Sequence, residues 1–517
     1  MFLKASLIFL SFGGKFAKMN SLLSWIKKNR LEILILLFIL ATAAFFRLYR
    51  ISEYMTFLGD EGRDALMVKR ILIDRDFPLL GPPTSIGNIY LGPLYYYMMA
   101  VPMAIFWLNP VAAAGMVAAL GIAAVALIYY LTREWFGKAA ASASALLYAI
   151  SPITIIYSRS SWNPNPAPFF ALLAILGIYK ARQRNDFRWF ILTGVALAFV
   201  VQMHYTALLL IPFFALLWLY ELFLIRAKGA KRKYFWSSSL AALLAFLFLM
   251  SPLLIFDLKY NFVNYRAFIA FFSQGGNVGF QYIDILSRSF SIYKDNLVGR
   301  YMGGSSLLPT YLLSFLIILP LIISMINKVA KRKPFNWVYL ALGAWLVIGI
   351  LGLSFLRQSI YDHYLGFLNP VPFMLLGSSL SFVKKFKIPL TVLLIFGVGL
   401  VNLSQNPLFY PPNNQLRRTQ EIAKFIINEA REKPFNFALI AARNYDAAYQ
   451  FYLEVYNHKP KIAPLEITKQ LFVVCEDMVC QPTYSSKYEI ASFGWTKIVS
   501  EQDFAGVKVF KLVPYFD

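Results

Sequence analysis

Positions 57–65 read FLGDEGRDA, which sets two carboxylates, Asp60 and Glu61, side by side shortly beyond the first long apolar stretch of the chain. That stretch, 31–46, closes on Arg47, Leu48, Tyr49 and Arg50, so the acidic pair is expected at the water face of a bilayer. Ionisable groups so near membrane spans are costly to place and are usually functional. A carboxylate pair at that depth lies next to whatever lipid-borne substrate diffuses there. The pair also suits the start of the following helix, with Asp60 as N-cap and Glu61 in the first turn. The two roles are compatible.

The elements that must position these acids are membrane helices. The chain has 517 residues, 59% hydrophobic and only 15% charged, where a soluble domain carries roughly 25% charged residues. Long apolar runs recur over 31–47, 90–107, 111–131, 139–157, 165–181, 188–202, 204–225, 236–256, 306–327, 335–356, 364–382 and 387–403. Most are long enough to cross about 30 Å of hydrocarbon at about 1.5 Å per residue. The fold class expected is an α-helical polytopic membrane protein of about 11–13 spans, with a small α/β domain at the C-terminus. Its parts are an N-terminal cytoplasmic segment at 1–30, a membrane domain at 31–403 and an extracytoplasmic domain at 404–517.

The net charge of +24 does not point to nucleic acid, because the positive residues fall in short clusters between the apolar runs. Lys27, Lys28 and Arg30; Lys180, Arg182, Arg184 and Arg188; Arg226 to Lys233; Lys328 to Lys333; and Lys384 to Lys387 mark cytoplasmic loops under the positive-inside rule. These markers leave one conflict. Lys27–Arg30 inside puts Asp60 outside, and basic 132–138 inside puts Asn109-Pro110 outside as well. The run 90–107 would then start and end on one side, so eleven full spans are favoured. Residues 1–19 read as a poorly ordered extension rather than a cleaved signal.

Between 55 and 90, apolar residues at helical spacing predict one or two amphipathic helices lying on the membrane surface. The segment 257–305 reads as a second long external loop containing Gly275-Gly276, expected to act as a lid or flap. From 416 onward a helix (416–431), a strand (436–441), a second helix (444–456) and strands at 470–474 and 506–512 are predicted. Cys475 and Cys480 are the chain's two cysteines. A disulfide is expected between them in an oxidising compartment, two free thiols being the alternative. With three histidines and no ligand spacing, no metal site is expected.

Three ordered stretches resemble the GT-C glycosyltransferase superfamily, closest to its protein O-mannosyltransferase and lipid A aminoarabinose transferase group. The first runs from RLYRI at 47–51 through FLGDEGRDA and Pro82-Pro83 to LGPLYYYM at 91–98. The second is 130–170, with Ser151, Pro152 and Arg159; the third is RQSIYDHYLGFLNPVPFMLLG at 357–377. Where many relatives carry an acid after the arginine, this chain has Trp162, Asn163 and Asn165, which weighs against a metal-linked role.

The resemblance implies transfer of a sugar from a polyprenyl-phosphate donor to an acceptor hydroxyl on a glycan, lipid or protein, with no cofactor. Asp60 matches the family's catalytic position, with Glu61 beside it. Arg63, Arg159, His204, Arg357 and His363 are the expected cations for the lipid phosphate, and Trp162 and Asn163 are expected to hold the sugar. The expected setting is a prokaryotic plasma membrane with the site facing outward and no nucleic-acid partner. Two alternatives stand beside it. A transporter or lipid flippase predicts internal repeats and charged mid-membrane helices, and an oligosaccharyltransferase or polymerase-type GT-C enzyme transfers a glycan instead.

Overall fold

The computed structural model describes residues 27–85, 89–225, 230–273, 282–331, 336–383 and 385–515. The N-terminal extension, parts of three basic clusters and Gly275-Gly276 lie outside them.

Apolar runs in lipid satisfy their backbone only by becoming helices, and the chain does so. Seven described helices are long and apolar enough to span a membrane: Arg30–Leu48, Pro110–Phe136, Tyr205–Leu224, Lys231–Lys259, Leu307–Ala330, Trp337–Ser354 and Lys387–Ser404. Leu94–Ile105, Lys138–Ile150, Trp189–Met203 and Pro370–Phe382 are apolar but shorter. The protein is an integral membrane protein.

Polar contacts sort the helix ends. Glu32, at the start of the first helix, pairs with Arg133 at 2.9 Å and Lys138 at 2.8 Å, where the Pro110–Phe136 helix ends. Gln183 donates to Glu134 at 3.1 Å, and Arg182 pairs with Glu221 at 2.7 Å. The basic clusters at 27–30, 132–138 and 180–188 therefore share one end of the bundle. Asp60 and Asn109 both fall at the opposite end. The intervening Leu94–Ile105 helix has 12 residues, about 18 Å of rise, too short for a full crossing. That length is consistent with both its ends lying on the Asp60 side, as the eleven-span reading requires.

The helix expected to lie on the membrane surface does something else. Gly59–Lys69, continued by a wider turn at Arg70–Asp74, buries Glu61, Gly62, Asp64, Ala65 and Val68. It is wedged between the Leu94–Ile105 helix and the Ala447–Val455 helix of the C-terminal domain. In the segment after 257, helices Val263–Ser273 and Tyr282–Ser291 lie either side of residues outside the described ones, and the second runs into a π-helical stretch, Ile292–Gly303.

From Gln415 the chain forms an α/β unit. Helix Gln415–Ala430, strand β1 (Asn436–Ile440), helix Ala447–Val455 and strands β2 (Leu471–Cys475) and β4 (Val507–Pro514) fall where the residue pattern puts them. Strand β3 (Thr496–Phe504) does not announce itself, because its residues TKIVSEQDF line an exposed sheet edge. The sheet order is β1-β2-β4-β3, with β1 parallel to β2 and the other pairs antiparallel. Cys475, at the end of β2, is disulfide-bonded to Cys480.

Candidate active site

The cleft is built from six separated stretches at the end of the bundle opposite the basic clusters. Asp60, Arg63, Ser85, Trp162, Asn163, His204, His363 and Tyr445 are among the residues lining a cavity of about 460 Å³. The elements meeting there are the Gly59–Lys69 helix, the 81–92 loop, the 158–166 turn, the His204 turn, the loop after the Trp337–Ser354 helix and the C-terminal domain.

Asp60 is the reactive-looking group. Its side chain is 40% exposed, the one member of the acidic cluster 60–64 open to the cleft. Its Oδ1 accepts from Arg63 Nη1 at 2.7 Å and from Tyr445 Oη at 2.7 Å. Arg63 also holds Asp64 Oδ1 through Nε at 2.9 Å and Nη2 at 2.7 Å. Burial works against the Arg63 charge, but Asp64 and Asp60 outweigh it and keep the guanidinium protonated. Asp64 is fully buried, and its Oδ2 has no hydrogen-bond partner among the described residues. Burial accordingly pushes its carboxyl up to about 7, against the pull of Arg63.

Glu61 takes a different place from the one expected of a catalytic partner. It points inward, 4% exposed, and its Oε2 accepts the Leu58 N–H at 3.1 Å. It is the reach-back half of a capping box, and the N-cap is Leu58 rather than Asp60. Burial raises the Glu61 carboxyl to about 7.

The other expected ligands divide. Arg63, Trp162, Asn163, His204 and His363 converge on the cleft. Arg159 and Arg357 are not among its lining residues. Arg159 is 2% exposed and donates to the Phe46 and Tyr49 carbonyls, each at 2.6 Å. It satisfies the orphan carbonyls at the end of the first helix, a structural task. Arg357 is exposed, and its carbonyl accepts from Arg288 at 3.5 Å.

Burial disfavours the charged form of both histidines. Burial lowers His363 to about 4, leaving it neutral at ordinary pH. It packs against Trp162, ring centroids 4.5 Å apart, and the two rings form a wall. His204 is buried, with Nδ1 2.8 Å from Thr206 Oγ1. Asn163 Nδ2 donates to the Met203 carbonyl at 2.6 Å, tying the wall to the end of the Trp189–Met203 helix.

Behind the Trp162–His363 wall lies a second cavity of about 380 Å³, lined by Tyr157, Asn296, Arg300, Tyr361 and Asp362 as well. Arg300, half exposed, grips Asp362 with two bonds of 2.6 Å. The residue pattern did not single out Arg300 or Tyr445. Neither sits near a recognisable motif, and both reach the site only through folding. Among the described residues no three His, Cys, Asp or Glu side chains are grouped to hold a metal ion.

Known structures share this arrangement of helices. ArnT from Cupriavidus metallidurans bound to undecaprenyl phosphate aligns with a TM-score of 0.61 at 14% identity, covering 93% of this chain and 98% of that one. The same protein in its apo state gives 0.58 at 14% identity, covering 95% and 98%. The chain has the GT-C glycosyltransferase fold. The archaeal oligosaccharyltransferase AglB from Archaeoglobus fulgidus, solved with an inhibitory peptide and a dolichol-phosphate, aligns at 0.53 and 14% identity over 84% of this chain and 64% of that one. Residues 91–256 match the family described as dolichyl-phosphate-mannose-protein mannosyltransferase. No curated protein matches this chain by sequence at a significant level. The resemblance read from the motifs is thus borne out in this GT-C protein.

Proposed function

We propose that this GT-C protein transfers a sugar from a polyprenyl-phosphate donor to an acceptor hydroxyl, with Asp60 as general base. One observation carries the reading: Asp60 is a half-open carboxylate in a roomy cleft at the membrane end, held on one oxygen by Arg63 and Tyr445. The liganded structures of similar fold, one with undecaprenyl phosphate and one with dolichol-phosphate, support a lipid-phosphate donor.

The residues divide the work as follows. The acceptor oxygen bonds to the anomeric carbon as the carbon–phosphate oxygen bond breaks. The bonding pair leaves with the lipid phosphate, and the acceptor proton passes to Asp60. Trp162 and His363 form the face over which the sugar lies. Arg63, the guanidinium that lines the same cavity as Asp60, is the cation placed for the departing phosphate, a role in which guanidinium geometry matches phosphate oxygens. The site faces outward on this reading, since the basic clusters gather at the other end, in a prokaryotic-type plasma membrane.

The test is sugar transfer in detergent from a panel of radiolabelled polyprenyl-phosphate sugars. Folded Asp60→Asn protein is expected to lose at least about a hundredfold in turnover, the usual range for a general base. Turnover that survives the substitution would move the chemistry away from Asp60.

A further inference from the structure

We infer that Tyr445, delivered by the C-terminal domain, is a positioning residue for the Asp60 carboxylate, so that the membrane domain alone holds an incomplete site. The inference rests on the glycosyltransferase reading above and adds to it a residue and a domain.

The hydrogen bonds define the task. Tyr445 Oη donates to Asp60 Oδ1 at 2.7 Å and accepts from Arg63 Nη1 at 3.2 Å, while the same Nη1 reaches Asp60 Oδ1 at 2.7 Å. This closed triangle occupies Oδ1 twice. Among the described residues no donor is bound to Oδ2, which is left to meet the acceptor hydroxyl. Burial and the Asp60 charge hold the Tyr445 phenol above its ordinary range, so it stays a donor. Two fixed donors on one oxygen restrict the carboxylate rotamer, and restricting a base to its productive geometry is worth rate rather than affinity.

The backbone around the contact is shaped to bring it about. A Cβ on Gly59 would stand 2.4 Å from the Tyr445 ring, and one on Gly62 would stand 2.2 Å from the Ala448 nitrogen. The two glycines that flank Asp60-Glu61 therefore leave bare backbone for this domain to rest on. Asn444, the preceding residue, accepts from Gly59 N–H at 2.8 Å and donates to both oxygens of Glu476 at 3.0 Å. Glu476 lies within the disulfide-closed loop and also takes the Tyr449 hydroxyl at 2.7 Å. The loop that presents Tyr445 is thus pinned to the start of the catalytic helix on one side and to the end of β2 on the other.

The experiment compares wild type, Tyr445→Phe, Gly59→Ala and Asp60→Asn in the transfer assay, with kcat, donor KM and melting temperature for each. Tyr445→Phe keeps the ring over Gly59 and loses only the hydroxyl. It is expected to lower kcat at least about tenfold, consistent with a hydrogen bond to a charged group, with donor KM and melting temperature unchanged. Gly59→Ala, which displaces the ring, is expected to lower kcat as well. Wild-type kcat in Tyr445→Phe alongside an inactive Asp60→Asn overturns the Tyr445 assignment and leaves the function standing. A kcat loss that tracks a fall in melting temperature, or a loss confined to KM, overturns it too. Absence of transfer from every donor in the unaltered protein overturns both readings.

Discussion

Two adjacent acids, Asp60 and Glu61, have different fates because a helix turns about 100° per residue. Asp60 falls on the cleft face, and Glu61 on the buried face, where its carboxyl reaches back to the Leu58 N–H. The consequence is a pH dependence of stability rather than of chemistry. The folded Glu61 carboxyl sits at about 7, above its ordinary 4.5, so the native state holds the proton more tightly than the unfolded chain does. Its contribution is complete below pH 4.5 and is lost as pH rises through about 7. Glu61→Gln keeps the capping acceptor without the charge. It is expected to match wild type at pH 4 and to melt higher at pH 8, by the equivalent of a few kcal/mol at most. Asp64 adds a decline of the same sign, which remains in both proteins. Parallel melting curves across pH 4–8 would remove Glu61 as the cause.

The Gly59–Lys69 helix works as a coupling element. One face carries the cleft carboxylate, and the other receives the Ala447–Val455 helix at backbone contact through Gly62. A methyl group there has nowhere to go, since its neighbour is a main-chain nitrogen at 2.2 Å. Gly62→Ala is therefore expected to destabilise the protein by about 1–3 kcal/mol, the usual cost of overpacking, and to cut transfer more than tenfold by shifting Tyr445. Differential scanning of the purified variant beside the transfer assay checks both parts. Full activity with unchanged melting would show that the helix pair tolerates separation. In the motif GDEG the acids suggested chemistry from their type and place, whereas the glycines are explained only by what lies against them.

The whole molecule sorts its charges by end, and that arrangement carries a prediction about orientation. Arg188 and Lys459 are both exposed, the first at the basic end and the second on the C-terminal domain. The native cysteines are disulfide-bonded. In intact cells a membrane-impermeant maleimide is expected to label Lys459→Cys and to reach Arg188→Cys only after permeabilisation; the reverse pattern would invert the topology. Much of this was legible in the residues. Apolar length determines a membrane protein, because lipid leaves a backbone no choice but helix, and clustered lysines and arginines mark one set of loops. Asp60 stood out because a carboxylate near a membrane needs a reason. Tertiary structure alone decided the rest. Tyr445 reaches Asp60 across 385 positions, and the Trp162–His363 wall and the Arg300–Asp362 pair join stretches equally unrelated in sequence. Spacing records what neighbours a residue has along a helix or strand. It holds no record of which distant backbone will press against a glycine, or which buried carbonyls will claim an arginine such as Arg159.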